Sequence, residues 1–461
     1  MVAEPRAPSI EPELLEALKT SLSGGVLRPG DEGYEEARLI HNLAFDRHPA
    51  LIVRAANDED VVQTVNFARD NRIELAIRSG GHSFAGHSAI EGGILLDLAG
   101  LDQIVIDAEQ RVGHAGAGVT AAAYTVAAFE HGVATPFGDT GSVGLAGLTL
   151  GGGIGWLVRK RGLTIDHLVS VDLVTADGQR LTASDDENPD LFWALRGGGG
   201  NFGVATRFTY RLEPIGTVLG GMAVQPLTRQ VLRAVIDIAM EAPEELTVIL
   251  GAMRMPPMPM VPEQMHFAPV AMTALVWDGD PDKGSAVVDR IRAAGTPYMD
   301  MIEPMPYPAI YQLMAEAEAP APLAVRSAYV SEVSDTALDE LVAFIDRAPV
   351  GSLFQLRNLG GAASRVPAEA TAFTGRHWPA LVALGTMFED PTTFAEWDAF
   401  TEAAIERVAP GPRQAYVNFL ANEGEEAVER AYGPQTWQRL LEIKRRYDPD
   451  NLFNRNQNIR P

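Results

Sequence analysis

Eight of the eighteen residues from Gly138 to Gly155 are glycine, in the run Gly-Asp-Thr-Gly-Ser-Val-Gly-Leu-Ala-Gly-Leu-Thr-Leu-Gly-Gly-Gly-Ile-Gly. Residues without a Cβ belong where a chain turns tightly or where backbone N–H groups approach an anion closely. A second glycine turn, Arg78-Ser-Gly-Gly-His-Ser83, lies nearly sixty residues earlier. A third spans Gly197 to Gly200 and continues into Gly203-Val204. The spacing does not match a dinucleotide-binding fingerprint, and no Gly-Lys-Ser/Thr is present for a P-loop. Separate glycine loops point to a large phosphate-bearing cofactor. His82 offers a nucleophile beside it, with Arg78 available to balance negative charge.

The residues around these loops alternate between strand and helix patterns. Ala50–Ala55 reads as a strand, Glu59–Arg69 as an amphipathic helix, and Leu75–Arg78 and Gly93–Leu98 as further strands. Thr120–Glu130 reads as an Ala-rich helix ended by Gly132. Ile165–Thr175 has strand alternation, with Asp177-Gly178 as a hairpin turn before Arg180. Asn188 and Pro189 open a short helix. From about residue 216 the texture changes to amphipathic helices (Thr228–Met240, Asp282–Ala294, Asp335–Ile345) and strand-like runs (Met272–Val276, Ser327–Glu332, Leu381–Phe388). Ala415–Leu420 is strand-like, and Gln435–Tyr447 is a helix stopped by Asp448-Pro449. At 461 residues the chain exceeds the reach of one core, so two domains are expected. A Met- and Pro-dense stretch from Met253 to Met265, including Met258 and Met260, reads as a stiff loop or a flexible apolar pocket wall.

Composition excludes several function classes. The formal charge of −24 repels phosphate backbones and anionic lipid, so neither nucleic acid nor a membrane surface is an expected partner. The acidic start, with Glu4, Glu11, Glu13 and Glu16, has no signal-peptide pattern, and no run reaches ~18 apolar residues. A cytoplasmic location is the expectation. The chain has no cysteine, which rules out disulfides, thiolate metal sites and thiol redox chemistry. Electron transfer would need a bound cofactor.

The Arg78–Ser83 loop, the Gly144–Gly155 run followed by Arg161-Gly-Leu-Thr-Ile-Asp166, and Gly199-Gly-Asn-Phe-Gly-Val204 together resemble the berberine-bridge-enzyme-like FAD-linked oxidoreductases. Tyr447-Asp-Pro-Asp-Asn-Leu-Phe453 with Asn456-Gln-Asn-Ile459 is similar to the family's closing signature. The resemblance implies an α+β, two-domain PCMH-type FAD-binding fold of the vanillyl-alcohol-oxidase class. Residues 1–215 would form the FAD-binding domain, 216–410 a substrate domain of antiparallel sheet flanked by helices, and 411–461 a segment returning to the FAD domain. FAD would contact Arg78, Ser79, Gly80, Gly81, His82, Ser83, Thr140, Gly141, Ser142, Val143, Gly144, Gly147, Gly151, Gly152, Gly155, Val204, Tyr416 and Asn418.

In that family the histidine matching His82 bonds to the 8α-carbon of the flavin, and many members add a cysteinyl bond at C6. Thr140 stands at the cysteine position here, so a single covalent link through His82 is expected. That link should raise the flavin potential less than two links would, and leave its face more open. Val143 occupies the family position that admits dioxygen to the reduced flavin, and a small residue there resembles the oxidases. Tyr416 matches the family's Tyr-x-Asn-Tyr motif as the candidate base, with Phe419 replacing the second tyrosine. An unperturbed phenol, with a pKa near ~10, needs a cation or hydrogen bonds to act near neutrality. Tyr124, Tyr311, Arg376 and His377 are further candidates, and Arg161 stands where many relatives carry a substrate-facing tyrosine.

These features imply an oxidase that takes a hydride from an alcohol or similar carbon of a small molecule such as a sugar, a glycosylated polyketide or another secondary metabolite. Dioxygen would be the acceptor, giving hydrogen peroxide. A dehydrogenase using another acceptor, and a flavin-binding protein without turnover, remain alternatives.

Overall fold

The computed structural model describes residues 10–257, 261, 263–315 and 319–461. Three sheets of four or more strands organise the described residues. The first has the order Gly25–Leu27, Leu51–Arg54, Ile94–Asp97, Leu75–Arg78. Its last three strands run parallel; parallel pairing requires a crossover, and the helix Asp58–Asn71 supplies one. The helix starts where the Asn57 side chain accepts a hydrogen bond from the Asp60 N–H, a conventional N-cap. The second sheet is antiparallel, in the order Ile104–Asp107, Val112–Gly116, Val204–Arg211, Leu168–Val174, Arg180–Ser184.

The third sheet, also antiparallel, has eight strands. Its main path runs Met299–Asp300, Thr217–Pro226, Pro269–Trp277, Leu246–Arg254, Leu353–Asn358, Ala380–Met387, Leu323–Val330. Pleat alternation gives it two unlike faces. Val248, Leu250, Ala252, Leu356 and Val382 are buried in one hydrophobic cluster with Leu232 and Val235 of the helix Arg229–Glu241 and with Leu338, Leu341 and Phe344 of the helix Asp335–Arg347. The alternate positions, including Ile249, Gly251, Met253, Gln355 and Arg357, line a cavity on the opposite side. A separate large core cluster joins residues of the first two sheets to Tyr416, Leu440, Phe453 and Ile459 from the end of the chain.

Most expected elements form within two or three residues of their predicted bounds. Two differ. The glycine run is not all loop, because Leu145–Gly151 is a helix. Its Leu145, Ala146, Leu148 and Leu150 are all buried, and that burial outweighs the intrinsic cost of Gly147 and Gly151. Ala415–Leu420 is not a strand. The Phe419 N–H donates to the Tyr416 carbonyl at 2.8 Å and closes a short turn over Val417–Phe419. The Met-rich stretch is divided: Met253 lines the cavity, while Met258 and Met260 lie outside the described residues.

Candidate active site

The cavity, about 450 Å³, lies between the glycine loops and the third sheet. Its floor comprises Ser79 to Ser83, Thr140, Val143, Gly144, Gly147, Gly199, Gly200, Gly203 and Val204. The first two glycine turns interlock: a Cβ on Gly80 would lie 2.3 Å from the Gly144 backbone nitrogen, and one on Gly144 would lie 2.2 Å from Ser79 Oγ. Only glycine permits that approach, so the two loops recognised from their composition form one surface.

His82 reaches this surface from the strand Leu75–Arg78. Its ring stacks on His41 with centroids 4.2 Å apart. Burial, with a smaller contribution from His41, lowers its pKa to about 4, opposed by a hydrogen bond to the Ser142 backbone. The imidazole is therefore neutral at physiological pH.

Tyr416 lines the cavity from the C-terminal segment. Its hydroxyl accepts hydrogen bonds from the Gly153 N–H and from Asn418 Nδ2, both at 2.9 Å. Asn418 Nδ2 also donates to the Leu148 carbonyl at 3.1 Å, which fixes the pair against the helix Leu145–Gly151. Burial raises the Tyr416 pKa to about 12 despite these hydrogen bonds. The phenol holds its proton, and with its lone pairs occupied its remaining polar direction is the O–H.

Several expected contacts fall elsewhere. Gly151, Gly152 and Gly155 do not line the cavity. A Cβ at Gly151 would meet Asn418 Oδ1 at 2.0 Å, at Gly152 the Phe373 ring at 2.6 Å, and at Gly155 the Phe137 carbonyl at 1.8 Å. These glycines make room for the protein's own groups. Gly141 and Ser142 are also absent from the lining, although Ser142 holds His82. Arg78 is engaged by Asp97 at 2.8 Å and by the carbonyls of Ala37 and Leu39, so its charge is already balanced.

Arg161 does not line the cavity; it pairs with Asp278 at 2.6 Å and Glu213 at 3.1 Å. Tyr124 is fully buried, edge-on to Phe137 and Tyr210, because Gly113 leaves space for its hydroxyl. Tyr311 donates to the Gly138 carbonyl at 3.0 Å. Arg376 pairs with Asp166 at 2.6 Å, and His377 is exposed.

Sequence reasoning missed His41, the methionines Met222 and Met272, and Arg357, all of which line the cavity. Arg357 donates to Asp139 Oδ2 from Nε at 3.1 Å and from Nη2 at 2.5 Å. No local signal announces these residues. Strand register brings Met222, Met272 and Arg357 over the glycine floor, while His41 comes from the loop after the helix Tyr34–Arg38, where its N–H donates to the Gly81 carbonyl at 3.1 Å.

A family model described as FAD binding domain matches residues 49–184, and one described as Berberine and berberine like matches residues 415–460. The (R)-6-hydroxynicotine oxidase of Paenarthrobacter nicotinovorans is 30% identical over 473 residues, covering 96% of this chain and 98% of that protein. An uncharacterised FAD-linked oxidoreductase of Bacillus subtilis (strain 168) is 29% identical, covering 96% of this chain and 98% of its own length. The crystal structure of 6-hydroxy-D-nicotine oxidase from Arthrobacter nicotinovorans matches with a TM-score of 0.85 at 28% identity, covering 96% of this chain and 98% of that one.

The protein is thus an FAD-linked oxidoreductase with the PCMH-type fold. Within that class, the chain belongs to the berberine-bridge-enzyme-like family. The cavity suits the cofactor on its own terms. Its floor is rich in glycine, and Arg455 Nε and Asn456 Oδ1, from two lining residues, are buried without a partner in the protein. Among the described residues, no helix is long and apolar enough to cross a membrane.

Proposed function

We propose that this protein is an oxidase tethered to FAD by a single bond through His82. It would remove a hydride from an alcohol or similar carbon of a small organic molecule and pass the electrons to dioxygen. The observation that carries this reading is the convergence of His82, Thr140, Val143 and Tyr416 on one cavity. When bound, FAD supplies the two-electron acceptor.

The chain's own groups have distinct tasks. One His82 ring nitrogen is held by the Ser142 backbone, which leaves the lone pair of the other available for bond formation. Thr140 offers no thiol, and the chain has no cysteine, so there is one tether. Tyr416, held by Gly153 and Asn418, would receive the substrate's proton through the small phenolate fraction that its raised pKa allows. Val143 is the small residue at the dioxygen approach. The balance is a carbon oxidised by two electrons and dioxygen reduced to hydrogen peroxide with two protons. Related oxidases named for nicotine and oligosaccharide substrates are compatible with such a reaction. The hydrophobic cluster on the outer face of the third sheet draws its buried residues only from Leu219 to Val408, which supports a substrate domain within residues 216–410.

Acid precipitation tests the tether: the pellet should be yellow and fluorescent for the native protein and colourless for His82→Ala. Peroxide formed with candidate alcohols in air tests the acceptor, and Val143→Ile should slow reoxidation by dioxygen. Reduction of an artificial dye without peroxide formation would replace the oxidase reading with a dehydrogenase.

A further inference from the structure

The third sheet forms the roof of the cavity, and the residues it contributes are largely apolar. Ile249, Met253, Met272, Leu353 and Met387 face the site, and among the described lining residues of this sheet only Gln355 and Arg357 are polar. Small residues open the space between them: Gly251 is paired with Gln355 across one strand boundary and Ala383 with Gln355 across the next. A Cβ at Gly251 would meet no atom closer than 3.5 Å. A polyol placed here would lose its water hydrogen bonds without replacing them, at considerable cost for each buried hydroxyl. A flat apolar body would lose none, and thioether side chains adapt to its edge.

Arg357 gives that surface one polar address. It is 5% exposed, lies with its guanidinium carbon 4.8 Å from the Phe419 ring centroid, and donates Nη2 to Gln355 Oε1 at 2.8 Å as well as to Asp139. Its Nη1 is buried with no partner. A buried donor left without an acceptor is costly, and a ligand oxygen met by a small shift of the guanidinium, part of which lines the cavity, would remove that cost. Asp139 already balances the guanidinium charge, so a carboxylate would bring an uncompensated negative charge into a dry site, whereas a neutral carbonyl oxygen would not.

We propose that Arg357 Nη1 is a specificity determinant for a planar, largely apolar substrate bearing a neutral carbonyl-type oxygen, rather than a saccharide. The inference rests on the flavin-oxidoreductase reading of the same cavity.

Holoprotein titrated with 1-tetralone, tetralin and cellobiose, followed by flavin absorption, tests this. Tetralone should bind at least about ten-fold more tightly than tetralin. Arg357→Met should weaken tetralone by about ten-fold and leave tetralin unchanged. Because the single variant strands Asp139, the Asp139→Asn/Arg357→Met double variant serves as a second, charge-balanced protein with the same expected result. Tetralone affinity within two-fold of wild type in either folded variant, or tighter binding of cellobiose than of tetralone, would overturn the proposal. Flavin retention in the acid pellet is scored separately. A colourless pellet would remove the His82 tether, while the same titrations on FAD-reconstituted protein would still judge Arg357.

Discussion

His82 and His87 are both held near a pKa of about 4, chiefly by burial, whereas an unfolded histidine titrates near ~6.5. Between those values the unfolded chain binds protons that the folded chain does not, so acid favours unfolding. The unfolding free energy from urea titrations should therefore fall as pH is lowered from about 6.5 to 4.5, by up to about 1 kcal/mol per pH unit for each histidine, and His87→Gln should flatten that slope. Tyr416 titrates at the other extreme, near 12. Its phenolate fraction grows with pH throughout the neutral range, so log kcat/KM should rise with a slope approaching about one between pH 7 and 10. Tyr416→Phe should abolish the slope and lower kcat by about a hundred-fold or more. His82, Thr140 and Val143 were legible in the sequence because short loops carry them in fixed spacing. Arg161 was misread because the partner that turns it away, Asp278, lies 117 residues further on, and no local pattern encodes such a distance.

At the level of elements, the helix Pro434–Tyr447 and the segment after it are pinned by one fully buried lysine. Lys444 Nζ donates to Asp448 Oδ2 at 2.6 Å and to the carbonyls of Asn201 and Phe453 at 2.9 and 3.0 Å. Asp448 in turn accepts from the N–H groups of Leu452 and Phe453. Lys444→Met would leave a buried carboxylate without its cation, and should cost about 3–5 kcal/mol in a denaturant titration. Lys444→Met/Asp448→Asn should recover part of that loss. Helices and hairpins here were readable because their periodicity and start signals are local, as in Asn188-Pro189 at the head of the helix Pro189–Leu195. Leu353–Asn358 was not: Phe354-Gln-Leu-Arg357 does alternate apolar and polar, but a run this short carries a weak periodic signal, and its polar positions face a cavity rather than solvent.

Across the whole molecule, arginines join the glycine floor to the sheet above it. Arg159 donates to the carbonyls of Ala242, Pro243, Leu246 and Leu359 at 2.7 to 3.1 Å, and Arg161–Asp278, Arg357–Asp139 and Arg376–Asp166 cross the same junction. Arg159→Met removes a donor from four carbonyls, of which those of Pro243 and Leu246 keep another partner, and should lower stability by about 2–4 kcal/mol, read as a lower melting temperature. The fold class was legible from motif order, but the arrangement of the cavity was not, since its two sides are separate sheets whose register is set by contacts between distant segments. That arrangement also bears on how the protein is made. The tyrosine and asparagine facing the glycine helix lie near the end of the chain, and Arg455 and Asn456 lie later still. A ribosome delivering the chain from its N-terminus would expose the histidine loop well before its opposing wall exists. On the proposed reading, cofactor attachment would be postponed until the C-terminal segment has been made, and an abortive product carrying only the first four hundred residues would lack Tyr416 and Asn418.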